Sequence, residues 1–443
     1  MNIYKSLTMT TLLLIMQQGL TQNILNLSLA EVTQQAVAIN WDVQKAEQMV
    51  GVATADLRSA NSAFLPSINL SETYMTTTDP LSAFGIKLQQ QITSANDFNP
   101  VLLNNPGFVD NYKTRVFVEQ PIINMDGINA RKAASTGVES SELKLKWTKR
   151  IIGLQAKNFY FMLQLSYEKK RVMESALEAG KENFKVASDL FDQDLIHQAD
   201  LMSAELRITE IESEMIAVKN QISDFNAELT HFIGLDRSVS IQPIDPISNT
   251  QIADRYLKIK EVSVERFDIK ALSLQMEASH VMLKSSKGSL LPRLNAFGSY
   301  EWNDKSLFGT NASNYLLGAK LEWDIFKGGK NIANVQKAIY HKRIAEINYQ
   351  EKLSASQREL NKVQIRLILA EKQVALSALA MQQAEEEFTV RKDRFEEGLE
   401  RTADVLQAES NLLSKRLNHL QSMNNYQQLA FNLEMLLDQE LTN

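Results

Sequence analysis

The residues able to do chemistry are few, and the most suggestive are carboxylates at matched positions. Phe191 to Glu205 (FDQDLIHQADLMSAE) aligns with Phe395 to Glu409 (FEEGLERTADVLQAE) at a constant offset of 204, which makes Asp200 and Asp404 equivalent. Two roles suit these aspartates. Several copies gathered around a narrow axis would concentrate negative potential and favour cations, as carboxylate rings do in pores. Each would equally well stabilise the first turn of a following helix, through the helix dipole and its free N–H groups. His197 lies in the first segment and could sense pH, although a solvated residue is the plainer reading.

Catalytic constellations are missing. The sequence has no GxSxG elbow and no HExxH, and Gly329-Lys330 does not complete GxxxxGK because position 324 is Asp. His197, His231, His280, His341 and His419 are scattered without ligand spacing. The run Glu385, Glu386, Glu387 reads as a solvated helix face. No enzyme activity, cofactor or metal is therefore expected. Zero Cys removes thiol nucleophiles, Cys-ligated zinc, iron–sulfur clusters, disulfides and an acylated N-terminal Cys, and it agrees with export. With 47 Lys+Arg against 53 Asp+Glu, the chain lacks the basic footprint of a nucleic-acid binder. Mean hydropathy is -0.24, and no apolar run approaches the ~18 residues of a membrane helix.

The elements that must position these residues follow from prolines and repeats. A length of 443 residues would suggest two or three domains. The eight prolines leave two long tracts free, from Pro121 to Pro243 and from Pro292 to the end. Because Pro costs about 3 kcal/mol inside a helix, both tracts permit very long helices. Asn40 to Leu70 also matches Arg266 to Ala296, with Leu65-Pro66 over Leu291-Pro292 at an offset of 226. Val118 to Asn124 (VEQPIIN) occupies the place of Leu321 to Lys327 (LEWDIFK). The feature order is the same in both halves, so the chain reads as a duplication. Each half reads as helix, strand, loop, strand, very long helix, turn, helix.

Period-two alternation marks the strands. Leu294, Ala296, Tyr300 and Trp302 fall opposite Arg293, Asn295, Ser299 and Glu301, and Tyr112, Thr114, Val116 and Val118 fall opposite Lys113, Arg115 and Glu119. Leu317 to Trp323 alternates likewise, and Ser67 to Met75 does so less cleanly because Glu72 lands among Ile68, Leu70 and Tyr74. This pattern fits a sheet with one wet face, and about ten residues per strand also suits a membrane β-strand. A half-buried hairpin on a soluble domain fits as well. Four strands cannot enclose a lumen, since barrels need roughly eight, so a membrane reading requires several chains to share one barrel. Each helical tract, near Asn129 to Asp194 and Asn331 to Glu397, could form a helix of roughly 65 residues, about 100 Å long. Ile332, Val335, Ile339, Ile344 and Ile347 recur at helical spacing and are read as core.

The N-terminus, with Lys5 ahead of the apolar stretch Leu7 to Met16, resembles a secretory signal peptide lacking an obvious small-x-small cleavage site; a frayed cytosolic terminus is the alternative. The expected organisation is a signal peptide at 1–22, a first repeat at 23–234, a link at 235–262 that packs outside the helices, and a second repeat at 263–443. Pro80 to Asn111 reads as a long Asn- and Pro-rich loop, with a shorter counterpart at Lys305 to Asn314.

Taken together, the Leu-Pro junctions, VEQPIIN, LEWDIFKGG and the paired turn segments resemble the TolC-type outer-membrane efflux protein family, from about Leu27 to Leu437. The resemblance implies a mainly α fold with a membrane β-barrel. Three chains would each give four strands to a twelve-stranded barrel and several helices to a periplasmic tunnel. It also implies a passive exit duct in the outer membrane of a Gram-negative cell, serving tripartite efflux or type I secretion. The implied partners are a periplasmic adaptor, an inner-membrane transporter and outer-membrane lipid. Gly398 and Leu399, with Leu195 in the first repeat, match the tip that faces the adaptor, and Asp404 matches an acidic entrance ring. The chain departs from the family at Glu397, Asp194 and Gln407, and it has Glu400 where a basic gate-locking residue is expected, with Arg401 beside it. Asp200, Asp404 and Glu400 are thus the entrance candidates, while Pro66, Pro292 and Pro121 mark helix–strand junctions. The alternative is a structural coiled-coil envelope protein or a periplasmic adaptor without a pore. An adaptor lacks two symmetric strand pairs flanked by long helices, and a tether needs no amphipathic strands.

Overall fold

The computed structural model describes residues 23–247, 252–439 and 441. The expected signal peptide at 1–22 lies outside the described residues. In chain order the elements are β1 (Asn23–Leu27), α1 (Leu29–Ile39), α2 (Trp41–Ala60), β2 (Ser67–Thr77), α3 (Pro80–Gln89), α4 (Pro100–Asn104), β3 (Val109–Ile123), α5 (Met125–Asp192) and α6 (Gln198–Phe232). They continue as β4 (Val239–Pro243), α7 (Asp254–Leu257), α8 (Phe267–Gly288), β5 (Arg293–Asp304), β6 (Ala312–Glu322), α9 (Lys330–Glu396) and α10 (Thr402–Leu437).

The two proline-free tracts each hold one unbroken helix, of 68 residues in α5 and 67 in α9, followed by a tight turn and a shorter helix. Pro66 and Pro292 each stand immediately before a strand. Pro121 lies inside β3, beside a register irregularity between Pro121 and Ile123. A strand end or bulge is where a residue without an N–H can be accommodated.

Two compact units emerge. One comprises the chain up to Glu47, Lys144–Phe267 and the chain from Lys352; the other comprises Gln48–Leu143 and Asp268–Glu351. In the first unit β1 and β4 form a short parallel pair, with Asn23 opposite Val239. This pair caps a core of Val32, Ala36, Ile152, Ala156, Leu163, Leu229, Ile233 and Ile241. Tyr160 lies within 3.0 Å of the Leu27 carbonyl and 2.8 Å of the Asp245 carboxylate, and burial pushes its hydroxyl up to about 12. Neither β1 nor its pairing was expected, and the stretch over 235–262 supplies β4 and α7.

The second unit holds an antiparallel sheet in the order β2-β3-β5-β6, so the two hairpins meet at the β3–β5 ladder. The register places Ile68, Leu70, Tyr74, Val116, Val118, Tyr300, Trp302, Tyr315 and Leu317 on one face. That face is open, with Ile68 71% and Leu317 74% exposed. Glu72, the residue that spoils the alternation, is on this face but accepts hydrogen bonds from the Thr114 hydroxyl and the Phe308 N–H. The opposite face carries Lys113 and Arg115, both paired with Glu301 at 3.2 and 3.1 Å, and Asn295 donating to Glu119 at 2.6 Å. Phe117 and Phe297 stack there with centroids 6.2 Å apart. Gly318 makes room for them, since a Cβ at that position would come 2.7 Å from the Phe297 ring.

Two expectations need correction. Pro80 to Asn111 is not an irregular loop: it contains α3, a 3-10 turn at Ala95–Phe98, and α4. Asp79 and Asn99 are each an N-cap followed by Pro at the first helical position, which starts a helix. The isoleucine stripe on α9 is not core within the chain. Ile332, Ile339, Ile344 and Ile347 are 63%, 46%, 53% and 51% exposed. Helical periodicity identifies an apolar face without saying which surface covers it.

Candidate functional site

The matched carboxylates lie in the first turns of α6 and α10, just after the two tight turns of the first unit. At the first turn Asp194 takes a left-handed conformation, φ +58°, and the Leu195 N–H reaches back to the Leu190 carbonyl at 2.9 Å. At the second, Gly398 takes φ +71° and the Leu399 N–H bonds the Arg394 carbonyl at 2.8 Å. The backbone device is the same, an αL residue that ends a helix. It presents Leu195 and Leu399 outward to the same degree, 64% and 65% exposed. Beneath the turns Ala187, Ala204, Phe395 and Val405 form one buried cluster, which draws on α5, α6, α9 and α10.

Side-chain electrostatics differ between the turns. Asp200 accepts a hydrogen bond from the His197 N–H at 3.1 Å, closing the start of α6, and has no ion pair among the described residues. Asp404 instead accepts from Arg401 Nε at 2.9 Å. Glu400 accepts from both Arg391 Nη1 and Arg394 Nε, each at 2.9 Å. The acidic side chain at the expected basic position is therefore held by two arginines of its own helix hairpin.

A polar cluster that sequence reasoning did not single out lies just behind the turns. Glu409, 3% exposed, accepts from Asn183 Nδ2 at 2.7 Å and stands 3.4 Å from Arg207 Nε. Burial pushes its carboxyl above the ordinary range, against the pull of Asn183 and Arg207. Neither Arg207 Nε nor Glu409 Oε1 completes a hydrogen bond among the described residues. The only sequence signal was the identity of Glu205 and Glu409, and it misleads: Glu205 is exposed. Among the described residues no group of three or more His, Cys, Asp or Glu could hold a metal, and no helix is long and apolar enough to cross a membrane.

The architecture is that of solved outer-membrane channel structures. The outer membrane protein VceC from Vibrio cholerae is 18% identical, with TM-score 0.78 over 93% of this chain and 96% of that one. The Campylobacter jejuni CmeC outer membrane channel is 17% identical, with TM-score 0.76 over 92% and 85%. A probable outer membrane lipoprotein, SilC of Salmonella typhimurium, is 22% identical over 212 residues, 46% of this chain and 45% of that one. The chain thus matches about half the length of this curated relative. The family model described as outer membrane efflux protein matches residues 32–235 and 259–438. The chain belongs to that family.

Proposed function

We propose that this protein is the outer-membrane exit duct of a tripartite efflux or secretion assembly. Three copies close their four-stranded sheets into one twelve-stranded barrel, and their long helices surround a periplasmic tunnel. The observation that carries the reading is the sheet: one face is apolar and open, the other bears paired charges, and two edge strands, β2 and β6, unpaired among the described residues, are left for neighbours. A lipid-facing barrel wall needs that division, and closure removes the edges. The exposed isoleucine stripe on α9 supports packing against further copies. Leu195, Gly398 and Leu399 are the adaptor-contacting tip, and an inner-membrane transporter supplies the energy. The two repeats, 23–234 and 263–443, descend from one duplicated unit.

At the entrance, Asp200 supplies the negative potential, because Asp404 and Glu400 are already compensated by Arg401, Arg391 and Arg394. Purified protein recorded in planar bilayers tests both levels. A trimer that conducts ions is expected; protein found only in inner-membrane or soluble fractions, or unable to conduct, overturns the duct. Asp200→Lys should reduce cation selectivity more than Asp404→Lys, and unchanged selectivity in both removes the ring.

A further inference from the structure

The segment between β2 and β3 has a definite place on the sheet. Along β3, Val109 and Asn111 share a face with Lys113, whose side chain reaches Glu301. This is the charged face, not the apolar one. Ala83 and Ile86 of α3 bury against Val109, at 0%, 6% and 6% exposure. Gln90 Nε2 donates to Asn111 Oδ1 at 2.9 Å and to the Asp110 carbonyl at 2.7 Å, and Asn111 Nδ2 donates to Asn303 Oδ1 at 2.8 Å. This buried amide chain runs from the end of α3 across β3 to β5. The segment is also stiff within itself. Asp79 caps α3 through the Ser82 N–H at 2.8 Å, and Phe84 meets Phe98 edge to face at 5.4 Å. Lys87 bonds Asp97 at 2.8 Å, and that contact, with the Ser94 N–H, holds the Asp97 carboxyl down to about 2. The turn between β5 and β6 spans only 305–311 and packs no helix on the sheet.

We propose that residues 78–108, which join β2 to β3 at the end of the sheet away from its junctions with α2 and α5 and so away from the periplasmic tunnel, form a fixed cap over the outer mouth of the pore, setting the size of solute that can reach the lumen from outside. The proposal rests on the duct reading above, in which the apolar face meets lipid and the charged face therefore lines the pore. An insert that merely decorated the surface would have no reason to bury a chain of amides on that face, the more so because its end atoms, Gln90 Oε1 and Asn303 Nδ2, are buried without a partner among the described residues and such groups cost about 1–3 kcal/mol each.

The chain has no Cys, so single thiols can be placed cleanly. Asn69 and Leu70 are neighbours on β2 with opposite faces: Asn69 is opposite Phe117 and Leu70 opposite Val116. Asn69→Cys and Leu70→Cys would be labelled in intact cells with a small membrane-impermeant maleimide and with a bulky polyethylene-glycol maleimide. Each would be made with the native insert, with 78–108 replaced by a short Gly-Ser turn, and with Ala83→Asp, which unseats α3 without shortening the chain. The expected result is that Asn69→Cys takes the bulky reagent at background level with the native insert, and at the level of the small reagent in both altered forms. Leu70→Cys should stay unlabelled throughout. Equal bulky labelling of Asn69→Cys in all three forms overturns the cap. Failure of the small reagent to reach Asn69→Cys even in the shortened form overturns the duct reading instead.

Discussion

The two helix turns share a backbone and differ in nearly everything attached to it. Both place an αL residue after a long helix and both expose a leucine, yet the first turn uses Asp194 where the second uses Gly398. The first is held by a backbone-to-carboxylate contact at Asp200, the second by arginines on Glu400 and Asp404. Just behind them, Glu205 is solvated while Glu409 is enclosed with Asn183 and Arg207. Their counterparts at the same offset, Glu387 and Asn411, form no such group; Glu387 pairs with Arg391 at 3.1 Å. The two turns keep one backbone and carry different charges. The second turn is the one carrying side-chain ion pairs.

This contrast can be broken experimentally. The largest effect should come from Glu409→Ala, which leaves buried Asn183 Nδ2 without its acceptor and Arg207 with the half-exposed Glu210 as its charged partner, and should cost about 2–3 kcal/mol. Glu205→Ala should stay within about 0.5 kcal/mol, as surface substitutions do. Thermal unfolding followed by circular dichroism compares the two, and equal effects would erase the distinction between the repeats. Next, Gly398→Ala should cost about 1–2 kcal/mol, because a Cβ is disfavoured in the αL conformation. Asp194→Gly should change stability by less than about 0.5 kcal/mol, since the relief of strain is offset by added chain freedom.

A pH dependence should follow from Glu409. Its native carboxyl holds a proton more tightly than the unfolded chain does, so its contribution is fully present below the ordinary value of 4.5 and declines as pH rises through it toward the raised native value. Melting temperature plotted against pH should fall over that window, and Glu409→Gln should flatten the fall. The smallest effect belongs to Glu400→Gln. Its arginine pairs are partly solvated, so less than about 1 kcal/mol is expected from the same melting measurement.

Much of the fold was legible because it is periodic. Alternation assigned the faces of the strands, and the ladders reproduce them; only Glu72 needed the structure, which supplies Thr114 and the Phe308 N–H as partners. Proline spacing located α5 and α9 to within a few residues. What was hidden depended on distant neighbours. Glu205 and Glu409 look identical in sequence, and only the arrival of α5 and α6 beside α10 buries one of them. The five-residue β1 carries too little pattern to announce a partner beyond Leu229. Asp79-Pro80 and Asn99-Pro100 were ambiguous because the same dipeptides open turns and helices alike.

The ladder joining β3 to β5 sets an order of events. Tyr112 pairs with Asp304 and Asn23 with Val239, so each contact spans roughly two hundred positions of chain, and such pairings form slowly. A nascent first half can therefore complete neither sheet. β1 finds its partner as soon as the link carrying β4 is made, but β3, paired with β2 on one side, must wait with its other edge open until β5 of the second half has been made and moved beside it. Strand edges left open for that long invite pairing with other chains. The early life of this protein should depend on something that covers those edges.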